Sequence, residues 1–284
     1  MKGLLINIEL TTSCIADCYM CPRQNMNRKG FMKIETVKKI KERINDYCDK
    51  IWEVDFSGRG EPTRHPLFYE ISSILKAISK PLTVVTTGEN LTESVFQAFD
   101  ENLDKIRLSI SSIIQEDFLK VHRGLNYKQT WDNIRIIADN FASKTVVHLT
   151  GGEPILGSLP ETVEYLKKLG FSEFYIFPLW NRGGSTELNS DRIKRQTYIE
   201  KLGIKSSETE YLESSDFTNG CPIANKSIFI LNNGDVLSCF QDFKASSISG
   251  NIFLNDLFEI ENLKKLQTGH LNICKNCNSK REII

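Results

Sequence analysis

LLINIELTTSCIADCYMC, residues 4–21, joins a short apolar run to three closely spaced cysteines. Residues 4–10 alternate too little for a surface strand and are too few for a helix, so they read as a buried β-strand ending at Thr11 and Thr12. Cys14, Cys18 and Cys21 then fall in the loop after that strand. Five further runs have the same character: 51–57, 82–87, 105–111, 145–150 and 173–179, rich in Val, Ile, Thr and Phe. Helical patterns separate them. In IETVKKIKERINDY, residues 34–47, the apolar positions Ile34, Val37, Ile40, Ile44 and Tyr47 recur at intervals of three and four, with lysines on the other face. Further helices are expected near 67–78, 92–100, 127–142 and 160–168, with Pro66 and Pro160 in first turns. Strand and helix alternating in this way predict parallel βα units, an α/β fold whose ligands lie at the carboxyl ends of the strands. The three cysteines are on that rim.

The pattern changes after residue 204. Residues 205–220 are polar and Ser-rich, a linker composition. SIFILNNGDVLSCF, 227–240, then offers two strands joined by Asn233-Gly234, a strong hairpin signal. A helix near 256–267 and the CKNC of 274–277 complete a small second domain, giving an expected division into 1–204 and 205–284.

Composition narrows the task. Thirty-six basic residues balance thirty-six acidic ones, so no global field draws the chain to nucleic acid or to an anionic membrane. No stretch approaches the roughly eighteen apolar residues of a membrane span, and the first ten residues are too mixed for a signal peptide. A cytoplasmic location follows, where paired cysteines bind metal or do chemistry more often than they form disulfides.

Seven of the eight cysteines fall in two groups. Structural zinc takes four ligands, whereas the first group supplies three thiols without a neighbouring His. A [4Fe-4S] cubane held by three thiolates keeps one iron free for another ligand. The second group, Cys221, Cys239, Cys274 and Cys277, makes a closed four-thiol site suited either to zinc or to a fully ligated cubane.

C-x3-C-x2-C after the first strand of an α/β pattern resembles the signature of the radical S-adenosylmethionine (SAM) superfamily. The resemblance implies a partial (β/α)6 barrel, a [4Fe-4S] cluster on Cys14, Cys18 and Cys21, and SAM bound to the fourth iron. It further implies an external electron donor such as flavodoxin or ferredoxin. SGRGEP, 57–62, looks like the family's Gly-Gly-Glu element, with Gly58 and Gly60 letting the backbone approach SAM and Glu61 accepting from its ammonium, although Arg59 splits the glycines. Thr87 stands in a Thr-Thr-Gly similar to a Thr-Asn-Gly element. Ser109 and Ser111 could reach the ribose, and Arg123 the SAM carboxylate. A second GGEP at 151–154 is read as a turn. In WNRGG, 180–184, Arg182 is the candidate to line the substrate pocket. The second cysteine group resembles the short, "twitch" form of the SPASM auxiliary-cluster domain. CFQDF, SGNI and CKNCN look most like those of an enzyme that oxidises an aminocyclitol alcohol.

The resemblance thus implies a SAM-dependent dehydrogenase or epimerase of a small polar molecule, with two [4Fe-4S] clusters. A maturase acting on a ribosomally made peptide is the alternative, and a zinc-stabilised interaction module the reading from another class. Cys48 is expected in the apolar face of the first helix. His65, His122, His148 and His270 share no ligand spacing and read as structural.

Overall fold

A computed structural model describes residues 3–152, 155–182, 185, 192–206 and 221–278. The strands are β1 (Leu4–Ile8), β2 (Ile51–Phe56), β3 (Leu82–Thr86), β4 (Lys105–Ile110), β5 (Thr145–Gly151), β6 (Glu173–Pro178), β7 (Lys205–Ser206), β8 (Ser227–Ile230), β9 (Asp235–Leu237) and β10 (Ile248–Asn251). The helices are α1 (Ile34–Asp46), α2 (Phe68–Lys76), α3 (Glu93–Glu101), α4 (Gln115–Val121), α5 (Tyr127–Phe141), α6 (Leu159–Lys168), α7 (Arg192–Leu202), α8 (Pro222–Asn225) and α9 (Leu257–Gln267). Among the described residues no helix is long and apolar enough to cross a membrane.

β1 to β6 pair in sequence order and in parallel, each pair separated by at least one helix, as the alternation predicts. Successive residues of a strand face opposite sides. On one side Ile6, Ile8, Phe56, Val84, Leu108, Val147 and Ile176 are buried under the helices, where α1 contributes Val37, Ile40 and Ile44. On the other, Asn7, Asp55, Val85, Arg107, His148 and Phe177 line one shared cavity of ≈ 300 Å³. Six strands around one cavity make the sheet an open barrel: β6 continues to β7, and β1 is not its neighbour.

The C-terminal hairpin does not form a sheet of its own. β8 pairs in parallel with β1, and β9 and β10 extend the same sheet. The free edge of β1 would otherwise present unpaired backbone groups, and β8 covers them. Leu5 N–H donates to Lys226 O at 3.0 Å and Glu9 N–H to Ile230 O at 2.9 Å, continuing the ladder.

Several boundaries differ from expectation. α4 and α7 are additional helices, and SGNI supplies β10, a third strand beyond the hairpin. Pro160 lies in the first turn of α6, but Pro66 precedes the N-cap of α2. α1 ends at Asp46, so Cys48 sits half-buried in a 3-10 turn beyond the helix and not in its apolar face. Residues 207–220 of the expected linker lie outside the described residues.

Candidate functional site

The loop after β1 is shaped by its own backbone and by the chain around Val121–Arg123. Thr11 Oγ1 accepts from Ser13 N–H at 2.9 Å, and Cys21 N–H donates to Cys18 O at 2.9 Å. Asp17 N–H donates to Arg123 O and Tyr19 N–H to Val121 O, fixing the loop from the side. Arg23 donates to Ala16 O at 3.0 Å. Within this frame Cys18 lies within electrostatic reach of both Cys14 and Cys21. Burial pushes the Cys14 thiol up to about 11, with the Glu61 carboxylate adding to it, and pushes Cys18 higher, with Cys21 and Cys14 adding to it. Three thiols in one loop are the donor chemistry that a [4Fe-4S] cluster with one open iron takes.

The Gly-rich turn after β2 meets this loop at close range. A Cβ on Gly60 would lie 2.3 Å from Thr11 O and 2.7 Å from Ser13 O, and one on Gly58 would lie 2.9 Å from Glu9 Cγ. The glycines therefore serve a close approach of backbone to the cysteine loop, a reason for them that the SAM resemblance alone does not give. Glu61 N–H donates to Ser13 O at 2.8 Å. The Glu61 carboxylate is buried; its Oε1 accepts from Thr63 Oγ1 at 2.9 Å, and its Oε2 from Thr87 N–H at 2.9 Å and Thr87 Oγ1 at 3.0 Å. With Thr63 N–H at 3.4 Å these donors occupy its acceptor sites. Burial raises its proton affinity and the threonines pull it back. In this geometry Glu61 ties the ends of β2 and β3 together and has no acceptor position left over for an ammonium.

Arg59 turns away from the cysteine loop. Its Nη2 donates to Phe240 O at 3.0 Å and Asp242 O at 2.9 Å, with the guanidinium 4.3 Å from the Phe229 ring and 4.8 Å from the Phe243 ring. Its Nε lies 3.9 Å from Glu9, which is itself gripped by Arg28 at 2.9 Å. Burial pushes Arg59 down to about 10. The residue that departs from the expected motif is thus the clasp between barrel and C-terminal segment. Arg123 is exposed and donates its Nε to Asp17 O at 2.8 Å, so it braces the cysteine loop.

Cys221, Cys239, Cys274 and Cys277 converge on a single small cavity, shared with Phe240, Gln241 and Thr268. Both amide atoms of Gln241 are buried there without a partner among the described residues. Burial pushes Cys239 up to about 12, and Lys264, buried beside these thiols with its ammonium on Ser227 O at 2.6 Å, down to about 8. Four thiols on one cavity, Cys239 buried and the others half-buried, with an orphaned amide N–H and a buried ammonium beside them, suit a group that carries negative charge and acceptor sulfurs. No three Cys, His, Asp or Glu side chains among the described residues stand close enough to grip one metal ion, so the fit rests on the convergence of the four thiols on one cavity.

The barrel cavity reaches toward both cysteine groups, lined by Met20 beside Cys21 and by Phe240 beside Cys239. Ser109, Ser57, Thr150, Trp180 and Arg182 line it, and Ser111 is fully buried with its hydroxyl unpartnered among the described residues. Arg182 has φ 51°, a left-handed conformation, and places its guanidinium 5.4 Å from the Phe243 ring. Burial lowers its pKa, and the Cys21 and Cys239 thiols, one from each group, pull it back up. The cavity floor carries charge that spacing did not announce. Arg107 meets Glu53 at 2.5 Å and Asp55 at 3.1 Å, and Thr83 Oγ1 donates to Asp55 at 2.6 Å. His148 packs over Phe177 at 4.4 Å, and burial holds its pKa well below the usual histidine range. Charged residues two apart within β2 and polar ones two apart within β4 were the available signal: both put hydrophilic side chains on an inner face.

His65 is buried and His270 exposed, while His122 touches a cysteine of the triplet and His148 lines the cavity. Of the second GGEP, Gly151 closes β5 and Gly152 packs against Leu179; Glu153 and Pro154 lie outside the described residues, as do Gly183 and Gly184 of WNRGG.

Comparison with known proteins agrees with this layout. A model described as the radical SAM superfamily matches residues 8–155, and one described as an iron–sulfur cluster-binding domain, SPASM, matches 221–278. An S-adenosyl-L-methionine-dependent 2-deoxy-scyllo-inosamine dehydrogenase of Niallia circulans is 24% identical over 97% of this chain and 92% of its own. Streptococcus suis SuiB bound to its precursor peptide SuiA aligns with TM-score 0.75 at 15% identity, over 99% of this chain and 70% of that one. BtrN in complex with AdoMet and 2-DOIA aligns with TM-score 0.63 at 19% identity, over 98% and 93%. The two structures share the fold.

Proposed function

As a member of the radical SAM superfamily, by the match over residues 8–155, the chain is a radical SAM enzyme, and we propose that it oxidises or epimerises a small polar molecule of the amino sugar or aminocyclitol class. The observation that carries this reading is the position of Arg182, lining a cavity of ≈ 300 Å³ and within electrostatic reach of Cys21 on one side and Cys239 on the other. Cys14, Cys18 and Cys21 would hold the cluster that binds SAM, and Cys221, Cys239, Cys274 and Cys277 an auxiliary [4Fe-4S] cluster.

Bound there, the first cluster and SAM would supply hydrogen-abstraction chemistry, and the auxiliary cluster an acceptor for one electron. The chain's residues orient and enclose. Arg182, its Nε buried without a hydrogen-bond partner among the described residues, positions a substrate oxygen. Ser109 offers a hydroxyl to the SAM ribose. Gly58 and Gly60 set the turn against the cysteine loop, Glu61 and Thr87 lock that turn to β3, and Arg123 holds the loop from outside. Apolar walls from Leu149, Phe177 and Leu179 exclude water. A flavodoxin or ferredoxin would deliver the reducing electron.

The peptide-maturase reading draws on one observation, the likeness in fold to SuiB bound to its precursor peptide. One experiment separates the two. Reconstituted protein is incubated with SAM and dithionite, and with either an aminocyclitol panel that includes 2-deoxy-scyllo-inosamine or a panel of short peptides. Formation of 5'-deoxyadenosine stimulated by an aminocyclitol, with loss of two hydrogens from it or inversion of one of its carbons, supports the proposal. Stimulation by peptides alone contradicts it.

A further inference from the structure

His122 follows the last turn of α4, its N–H on Phe118 O at 2.7 Å, and its Nδ1 lies 3.4 Å from the Sγ of Cys18. The hydrogen bonds of Asp17 to Arg123 O and of Tyr19 to Val121 O flank this contact on both sides. The imidazole therefore meets Cys18 in a register fixed by backbone. Its ring is 1% exposed and packs against Phe118 with centroids 5.1 Å apart.

The tautomer follows from what each atom can do. A thiolate bound to iron accepts hydrogen bonds and has no proton to give, so Nδ1 must carry the hydrogen if the contact is a bond. Nε2 is buried with no partner among the described residues, so it is the bare nitrogen of a neutral ring.

We propose that His122 is a positioning residue that donates its Nδ1–H to the Cys18 sulfur and thereby raises the reduction potential of the SAM-binding cluster. Reduction adds negative charge to the cluster, and a hydrogen bond to a ligating sulfur stabilises that charge most where water is excluded. The inference rests on the family assignment and not on the choice of substrate.

The test is an EPR-monitored redox titration of the full-length, reconstituted protein. The SAM-binding cluster is identified as the signal that changes when SAM is added. His122→Phe keeps an aromatic ring against Phe118 and removes the donor, whereas His122→Asn places an amide N–H near the former Nδ1. At a fixed potential the reduced-to-oxidised ratio of this cluster should fall about three- to tenfold in His122→Phe, a decade being 59 mV for one electron. His122→Asn should return toward the wild type. Equal potentials in all three, or equal shifts in both variants, would overturn the proposal. If His122→Phe takes up no iron, pulsed EPR on 15N-histidine-labelled protein decides. A 15N coupling to the reduced cluster that is lost in His122→Asn supports the bond, and no coupling in the wild type overturns it.

Discussion

Asn181 and Asn278 bind each other across the junction of barrel and C-terminal segment. Asn181 N–H donates to Asn278 Oδ1 at 3.0 Å, and Asn278 N–H to Asn181 Oδ1 at 3.1 Å. Asn278 also donates its amide to Leu179 O at 2.9 Å. Asn181 adjoins Arg182, and Asn278 adjoins Cys277. The pair thus fixes the candidate substrate residue against the second cysteine group.

Replacing Asn278 by Ala removes these side-chain bonds but leaves both cysteine groups intact. At roughly 0.5–1.5 kcal/mol for each hydrogen bond, a loss of about 1–3 kcal/mol is expected. Urea denaturation should show it as a lower midpoint. Substrate-dependent turnover should fall while the iron content stays near that of the wild type.

The Arg59 clasp makes a larger prediction. Arg59→Leu leaves the buried Glu9 with Arg28 alone and strands the carbonyls of Phe240 and Asp242. Two hydrogen bonds from a charged donor, at roughly 1.5–3 kcal/mol each, make a cost of about 3–6 kcal/mol. Limited proteolysis should cut the chain between barrel and hairpin faster in this variant. Arg59→Lys keeps the charge but loses the planar fork and should fall between the two. A cleavage rate unchanged in Arg59→Leu would show that the clasp does not hold the C-terminal segment.

Gly60 and Gly157 make a matched pair for the rim. A Cβ at Gly60 collides with two backbone oxygens of the cysteine loop, whereas one at Gly157 meets nothing within 4 Å. Gly60→Ala should therefore lose about four irons after reconstitution, those of the triplet. Gly157→Ala should keep them all. Iron and acid-labile sulfide assays read the difference.

His65 gives a pH dependence of definite sign. Its Nδ1 accepts from Leu67 N–H at 3.1 Å and its Nε2 donates to Met32 O at 3.0 Å, so the buried ring is held neutral. Burial lowers its pKa below the usual 6.5, outweighing the Met32 bond. As pH falls below 6.5 the unfolded chain takes up the proton first, so stability is lost with acidification. His65→Gln should weaken the fall in denaturation midpoint between pH 7.5 and pH 5.5. An identical fall in both proteins would remove His65 from the account.

Much of the fold could be read from apolar runs and the helical spacing between them, because local periodicity reports burial directly. α7 escaped that reading because its apolar residues form no stripe: Ile193 is exposed while Arg195 is buried. The joining of β8 to β1 escaped it because strand order across two hundred residues is not a local property. The cysteines were legible because metal chemistry constrains spacing. Arg59, Asn181, Asn278 and His122 were not, since each acts through a contact far away in sequence. Glu61 shows the converse: its motif was legible, yet Thr63 and Thr87 take up the carboxylate that the motif seemed to offer to a ligand.

The central claim is that two iron–sulfur sites face each other across one substrate cavity. Counting iron and acid-labile sulfide in anaerobically reconstituted wild type, and in the variant with Cys14, Cys18 and Cys21 changed to Ala, tests it most directly. About eight irons falling to about four is the predicted result. About four falling to none would leave Cys221, Cys239, Cys274 and Cys277 without a cluster, and the proposed oxidation without its electron acceptor.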